Sequence, residues 1–250
     1  MRVLLALVTL ICLGAPAFGA SMADDAASAN RLMARGEWEE ARHAYLRLHE
    51  GLLKSVGAER PLSAQALANA CDASVPLAGR LDAKPLCLRA LAVNERVSGR
   101  DAPETARVLS DLSLLYSAEG NLARAGELLE RALRIAERDP ASPDCAGLLN
   151  NLGFLYYRRG KYGRSREVFE KAIRVIESRP AANRSDLVTI LGNLGTAELA
   201  AHDAPAAELH FQKALVEAER FFADDPAKGL KALRGLEQAE VALGHKAARE

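Results

Sequence analysis

The chain has 250 residues, of which 49% are hydrophobic and 26% charged, which suits one sizeable domain or a short array and not a disordered polymer. Thirty-three basic residues balance thirty-three acidic ones, so the formal net charge is zero. A general nucleic-acid binder would need a basic excess, so that class is set aside.

Met1 to Gly19 carries the pattern of a secretory signal peptide. Arg2 supplies the positive start, Val3 to Leu13 is an apolar run broken only by Thr9, and Gly14 and Pro16 precede small residues. Ala17-Phe18-Gly19 offers cleavage before Ala20, and Ser21-Met22-Ala23 is a second site. The run is short of the roughly 20 residues that a spanning helix requires, and the bulky Ile11 before Cys12 argues against a lipoprotein. The mature chain is therefore expected not to span a membrane. Its Ala- and Arg-rich composition fits a bacterium with GC-rich DNA, which makes the periplasm the expected compartment.

Beyond the signal peptide, residues 20–250 are expected to form one repeat domain. The first repeat covers about 22–60, with Trp38 at its turn. The second, about 61–102, has helices expected over Leu62–Val75 and Asp82–Ser98, with Pro76 and Pro85 near their ends. It also holds Cys71 and Cys87. The third, about 103–142, places Leu109, Leu112, Leu115 and Tyr116 on one helix and Leu128, Leu129, Ala132, Leu133 and Ala136 on the other. In the fourth, about 143–185, two amphipathic patterns meet at Gly160-Lys161-Tyr162. The fifth, about 186–227, turns at His202-Asp203-Ala204. A last helix over Gly229–Leu243 reads as a cap, within 228–250.

These segments share one register. Gly36, Ala78, Gly120, Gly160, His202 and Gly244 are separated by 42, 42, 40, 42 and 42 residues. At fixed offsets from these markers stand Ala41, Ala83, Ala125, Ser165 and Ala207; Tyr45, Cys87, Leu129, Phe169 and Phe211; Ala90, Ala132, Ala172 and Ala214; and Cys71, Ser113, Gly153 and Gly195. Small residues let two helix backbones approach, and large ones fill the space between them. Pro61, Pro103 and Pro143 keep the same phase at sites suited to a first helical turn. A helical hairpin of this length cannot bury its apolar face alone, so its neighbours must.

Leu152-Gly153, Tyr156, Gly160-Lys161-Tyr162, Phe169 and Ala172 resemble the tetratricopeptide repeat, with Ser165 in place of the first Ala. The period near 42, against the usual 34 or so, with Leu149-Asn150-Asn151-Leu152-Gly153, looks like the kinesin-light-chain variety. The resemblance implies an all-α, right-handed superhelical solenoid of about five hairpins plus a C-terminal capping helix. It also implies that the first helices line a concave groove in which the protein holds an extended peptide segment of another protein.

One constellation suits such a groove. Asn69, Asp111, Asn151 and Asn193 stand nine residues before successive markers. The family often places Asn at the matching position, where an amide can bond a peptide backbone through donor and acceptor. Hydrogen bonding between adjacent repeats is the alternative use of such residues. Gln65, Arg107, Asn150, Phe154, Tyr157 and Arg158 are the other expected walls, and the two arginines could receive an acidic group. Cys71 and Cys87 fall level with each other across the second hairpin, so outside the cytosol they could form a disulfide. Two reduced core thiols are the other reading, because packed helices lie about 8–10 Å apart. No nucleophile motif, phosphate loop or dinucleotide fingerprint occurs, and neither the five scattered histidines nor the cysteines have metal-ligand spacing. No catalytic residue, cofactor or metal is expected. A structural, self-associating role in an envelope assembly is the second expectation.

Overall fold

Each hairpin is organised by how its first helix stops. The backbone at Gly36, Gly120, Gly160 and Gly244 has φ of 74°, 83°, 69° and 74°, and at His202 it has φ of 63°. A residue in this left-handed region ends a helix, and glycine enters it with no Cβ penalty. The closing bonds repeat as well. The Gly160 and Lys161 N–H groups donate to the carbonyls of Tyr157 and Tyr156, both at 2.9 Å, and His202 and Asp203 do the same to Leu199 and Glu198. His202 thus holds a place that glycine holds elsewhere. Ala78 is the exception among the markers. Its φ is −55°, and it follows a short 3₁₀ turn, Val75–Leu77, that contains Pro76.

The computed structural model describes residues 20–56, 60–139, 142, 144–178, 185–223 and 225–244. The expected signal peptide over 1–19, Pro143 and His245 lie outside these residues. Among the described residues there are eleven α-helices and no strand. They are α1 (Ala20–Arg35), α2 (Trp38–Val56), α3 (Pro61–Ser74), α4 (Lys84–Val97), α5 (Pro103–Ala118), α6 (Leu122–Ala136), α7 (Cys145–Arg158), α8 (Tyr162–Glu177), α9 (Asp186–Ala200), α10 (Ala204–Phe221) and α11 (Leu230–Ala242). Consecutive pairs make five hairpins, and α11 follows them alone. The second repeat begins its helices slightly away from the expected bounds. Pro61 opens α3, and the Asp82 carboxylate accepts from the Lys84 N–H at 3.3 Å, which leaves Asp82 outside α4 and Pro85 in its first turn. The last helix starts at Leu230, because Pro226–Gly229 forms a 3₁₀ turn before it.

The described residues fall into two compact units, one ending at Ile135 and the other beginning at Ala136. In the first, α1 packs on α2, α2 on α3, α3 on α4 and α4 on α5, and the first helices α3 and α5 also touch. In the second, α7 packs on α8, α8 on α9 and α9 on α10. Here α7 touches α9, and α11 packs on both α9 and α10. The cap therefore takes the place that another first helix would take.

The recurring positions form the core. Ala41, Ala83, Ala125, Ser165 and Ala207 are all buried, as are Ala90, Ala132, Ala172 and Ala214. The Ser165 hydroxyl donates to the Gly153 carbonyl at 2.8 Å, so the exception to alanine finds a partner inside the hairpin. Large and small residues face each other as the register requires. A Cβ on Gly153 would lie 2.7 Å from the Phe169 ring, and one on Gly195 would lie 2.9 Å from the Phe211 ring. The same two positions of the second hairpin hold Cys71 and Cys87, which are joined by a disulfide with Cα atoms 4.9 Å apart. Each Cα stands about 2.3 Å from its helix axis, so two that face each other on the contact line come this close even at the usual axis spacing of about 8–10 Å.

In the last hairpin Glu198 is a charged side chain at only 2% exposure, and its carboxylate meets His210 Nδ1 at 2.8 Å. An unpaired carboxylate there would be costly, so His210 accounts for its burial.

Candidate interaction surface on the first helices

In the first unit the surface is built by α3 and α5. Gln65, Asn69 and Asp72 lie on α3, and Arg107 and Asp111 on α5. Asn69, Arg107 and Asp111 are half-buried, whereas the Asp72 side chain remains open to solvent on one side. The Asp111 carboxyl is pushed well above the usual carboxylate range, first by burial and then by the charge of Asp72, while Arg107 pulls it back. Asp72 moves in the same direction for lack of full hydration, again opposed by Arg107. Beneath them Tyr45 on α2 is buried and donates to Asn30 Oδ1 at 2.5 Å. Its phenol is pushed up to about 12 by burial and by Asp72, with a hydrogen bond to Asn69 acting the other way. Cys71 Sγ lies 3.7 Å from Asp111 Oδ2. A disulfide sulfur has no proton to donate, so this is a packing contact. The disulfide thus backs the acidic part of this surface.

In the second unit the surface is built by α7, α9 and α11. The Asn193 side-chain amide donates from Nδ2 to Asn150 Oδ1 at 2.8 Å. Asn150 Nδ2 lies 3.5 Å from Asn151 Oδ1, at the long limit of a hydrogen bond. Lys231 Nζ donates to Asn193 Oδ1 at 2.5 Å. Beside these groups Phe154 is 40% exposed. Its ring stacks with Tyr157 at 6.1 Å between centroids, and Tyr157 meets Tyr162 at 5.8 Å. Arg158 is exposed at the end of α7.

The ladder therefore falls as two rungs in each unit. Asn193 reaches an amide of the preceding first helix, but the partner is Asn150, 43 residues away, and not the periodic Asn151. An amide has two donor hydrogens and an oxygen with two lone pairs. After these bonds the half-buried Asn193 keeps one of each. Hydrogen bonding between repeats thus leaves this residue capacity for a further bond. Two contributors, Asp72 and Lys231, were not singled out by periodicity. Tyr45, a register residue expected only at the contact between helices, and Asp72 sit beside the Asn69 rung, and Asp72 could have been found three residues along the same helix. Lys231 lies on the cap, outside the repeating pattern.

Among the described residues, no three His, Cys, Asp or Glu side chains gather as a metal site, and no helix is long and apolar enough to cross a membrane.

Helical hairpins packed in sequence through small-residue contacts, with the first helices touching one another, define a helical-repeat scaffold. The chain belongs to the tetratricopeptide-repeat family, whose sequence profile matches residues 78–138 and 144–215, together more than half of its length. The fold is similar to that of BtubC (BKLC) from P. vanneervenii, with TM-score 0.64 and 21% identity over 77% of each chain. It is also similar to the apo form of RapI, with TM-score 0.67 and 19% identity over 89% of this chain and 81% of that one. NprR in complex with its cognate peptide NprX gives TM-score 0.66 and 15% identity over 98% of this chain and 66% of that one. No curated protein matches the chain. The family is one of protein–protein interaction scaffolds, and no enzyme family is indicated.

Proposed function

We propose that the protein is an exported, periplasmic scaffold that holds an extended segment of a partner protein against its first helices. The observation that carries this reading is the Asn193–Asn150 pair beside exposed Phe154. Polar groups able to bond a backbone lie next to an aromatic able to take a side chain. The peptide complex of NprR, a protein of similar fold, supports the same use of the array. Export is supported by the N-terminal pattern of residues 1–19 and by the Cys71–Cys87 disulfide, which belongs to an oxidising compartment. Asn69, Asp111, Arg107, Tyr157 and Arg158 are the further residues assigned to contact with the partner.

Crosslinking in the native host, followed by identification of the captured protein, supplies the partner. Substituting Asn151 and Asn193 together by Ala should then weaken its capture at least tenfold while leaving the circular-dichroism melt in place, since side-chain hydrogen bonds are worth about 0.5–1.5 kcal/mol each and tenfold is about 1.4 kcal/mol. Undiminished capture by the double variant removes this assignment. The mass of the mature protein tests export, because cleavage before Ala20 predicts a chain that begins at that residue.

A self-associating structural role is the second reading. It is favoured by apolar side chains left open on the last two helices: Leu209 and Val216 on α10, and Leu230, Leu233 and Val241 on α11. Molecular mass in solution across a concentration series separates the two, because a peptide-binding monomer stays constant.

A further inference from the structure

The hydrogen-bonded run along α11, α9 and α7 has a direction. An ammonium group carries donors only. Its 2.5 Å bond to Asn193 therefore forms only when Asn193 turns its oxygen toward α11. The Asn193 NH₂ group must then face α7, where it meets the oxygen of Asn150 at 2.8 Å. Asparagine amides otherwise have two nearly equivalent orientations, related by a flip that exchanges oxygen for nitrogen. Lys231 removes that freedom at Asn193, and Asn193 removes it at Asn150.

The place of Lys231 is not explained by docking of the cap. The buried face of α11 is Ala232, Gly235, Leu236 and Ala239, while Lys231 is on its exposed side. Nor is Lys231 paired with a carboxylate, since its bonded partner is a neutral amide. Its 2.5 Å bond to Asn193 holds the ammonium against α9, and partial burial pushes it below the usual lysine range.

We infer that Lys231 is a positioning residue of the partner-binding face. It fixes the amides of Asn193 and Asn150 in one orientation, so that the groups left over meet the partner's backbone in a set arrangement. The cap helix is then part of the binding surface as well as the end of the core. This inference rests on the peptide-binding reading of the same face.

The test uses the full chain and a peptide probe. A random dodecapeptide display library is selected on the immobilised wild-type protein, and the strongest binder is synthesised with a fluorophore. Its affinity is measured by anisotropy for wild type, N193A, K231M and K231R. N193A should weaken binding at least tenfold. K231M should weaken it about fivefold to tenfold, the scale of one charge-assisted bond acting through another group. K231R, which still donates to the Asn193 oxygen, should recover to within about twofold. The melting temperature should be the same for K231M and K231R. The side-chain amide resonances of Asn193 and Asn150 should move in K231M and return in K231R, which a merely structural lysine would not cause. Wild-type affinity in K231M alongside a loss in N193A overturns the role of Lys231 and leaves the peptide-binding face intact. A selected peptide indifferent to N193A overturns both.

Discussion

Replacing Gly235 by alanine offers a test in which the sign of the effect is diagnostic. Gly235 lies within α11 and faces Phe211, which is 1% exposed. An added Cβ would fall 2.3 Å from the ring's Cε1 and Cζ atoms, whereas carbon atoms in contact sit about 3.5–4.0 Å apart. More than an ångström must therefore be found. The ring is held on its other side by α9, where a Cβ on Gly195 would in turn fall 2.9 Å from the same two atoms. The tip of Phe211 thus inserts between two helices that are both bare at the point of contact. Either α11 lifts, loosening Ala232, Leu236 and Ala239, or the ring leaves its rotamer. Overpacking of this kind costs about 1–3 kcal/mol, and the upper end is expected here. A helix-interior Gly→Ala change otherwise stabilises by about 0.8–1 kcal/mol. The net expectation for G235A is a loss of about 2 kcal/mol in urea denaturation followed by circular dichroism. G192A, where an added Cβ meets nothing within 4 Å, should gain stability on the same axis. Shrinking the ring in F211L should recover part of the loss in the double variant. A G235A protein as stable as wild type, or more stable, would refute the packing assigned to Phe211.

Two other perturbations probe the first unit. Removing the disulfide in C71A/C87A should cost about 3 kcal/mol, from the chain entropy of a loop closed across 16 residues, read from the urea midpoint of the unreduced protein. An unchanged midpoint would mean that the bond does not restrict the unfolded chain. Asp111→Asn, which gives this rung the residue found at the other three, should stabilise the protein at neutral pH. Because the folded pKa of Asp111 is raised, the folded state holds its proton more tightly than the unfolded state does. Wild-type stability therefore falls as pH rises from the ordinary aspartate range through the raised folded pKa, at up to about 1.4 kcal/mol per pH unit. The variant lacks that slope, so the two stability curves should converge in acid and separate toward neutrality. Parallel curves would contradict the assignment.

The hairpins were legible in the sequence because one residue ends each first helix. A left-handed stop favours glycine strongly enough to recur visibly, and small and large contact residues keep a constant distance from it. His202 was found through its register and not through its type. The surface was only partly legible, for physical reasons. A period places residues along an axis, but an amide reaches a residue to either side, so Asn193 bonds Asn150 where the period points to Asn151. Sequence spacing also could not decide whether Cys71 and Cys87 were close enough to join. The usual distance between helix axes argued against it, but both residues lie on the line where the two helices face each other, and there their Cα atoms are 4.9 Å apart. Lys231 was missed because it belongs to no repeat. A cap is legible as cover for a core, and nothing periodic marks the side chain it adds to the neighbouring wall.

The hairpin that lacks a left-handed stop is also the one that carries the disulfide. In a repeat array each hairpin draws its stability from its neighbours, so fraying at one place weakens the next. A covalent bond does not depend on neighbours. Once Cys71 and Cys87 are joined, α3 and α4 remain tethered even when α2 and α5 have detached. The most irregular turn of the array is thus the one whose two helices stay joined when their neighbours are lost.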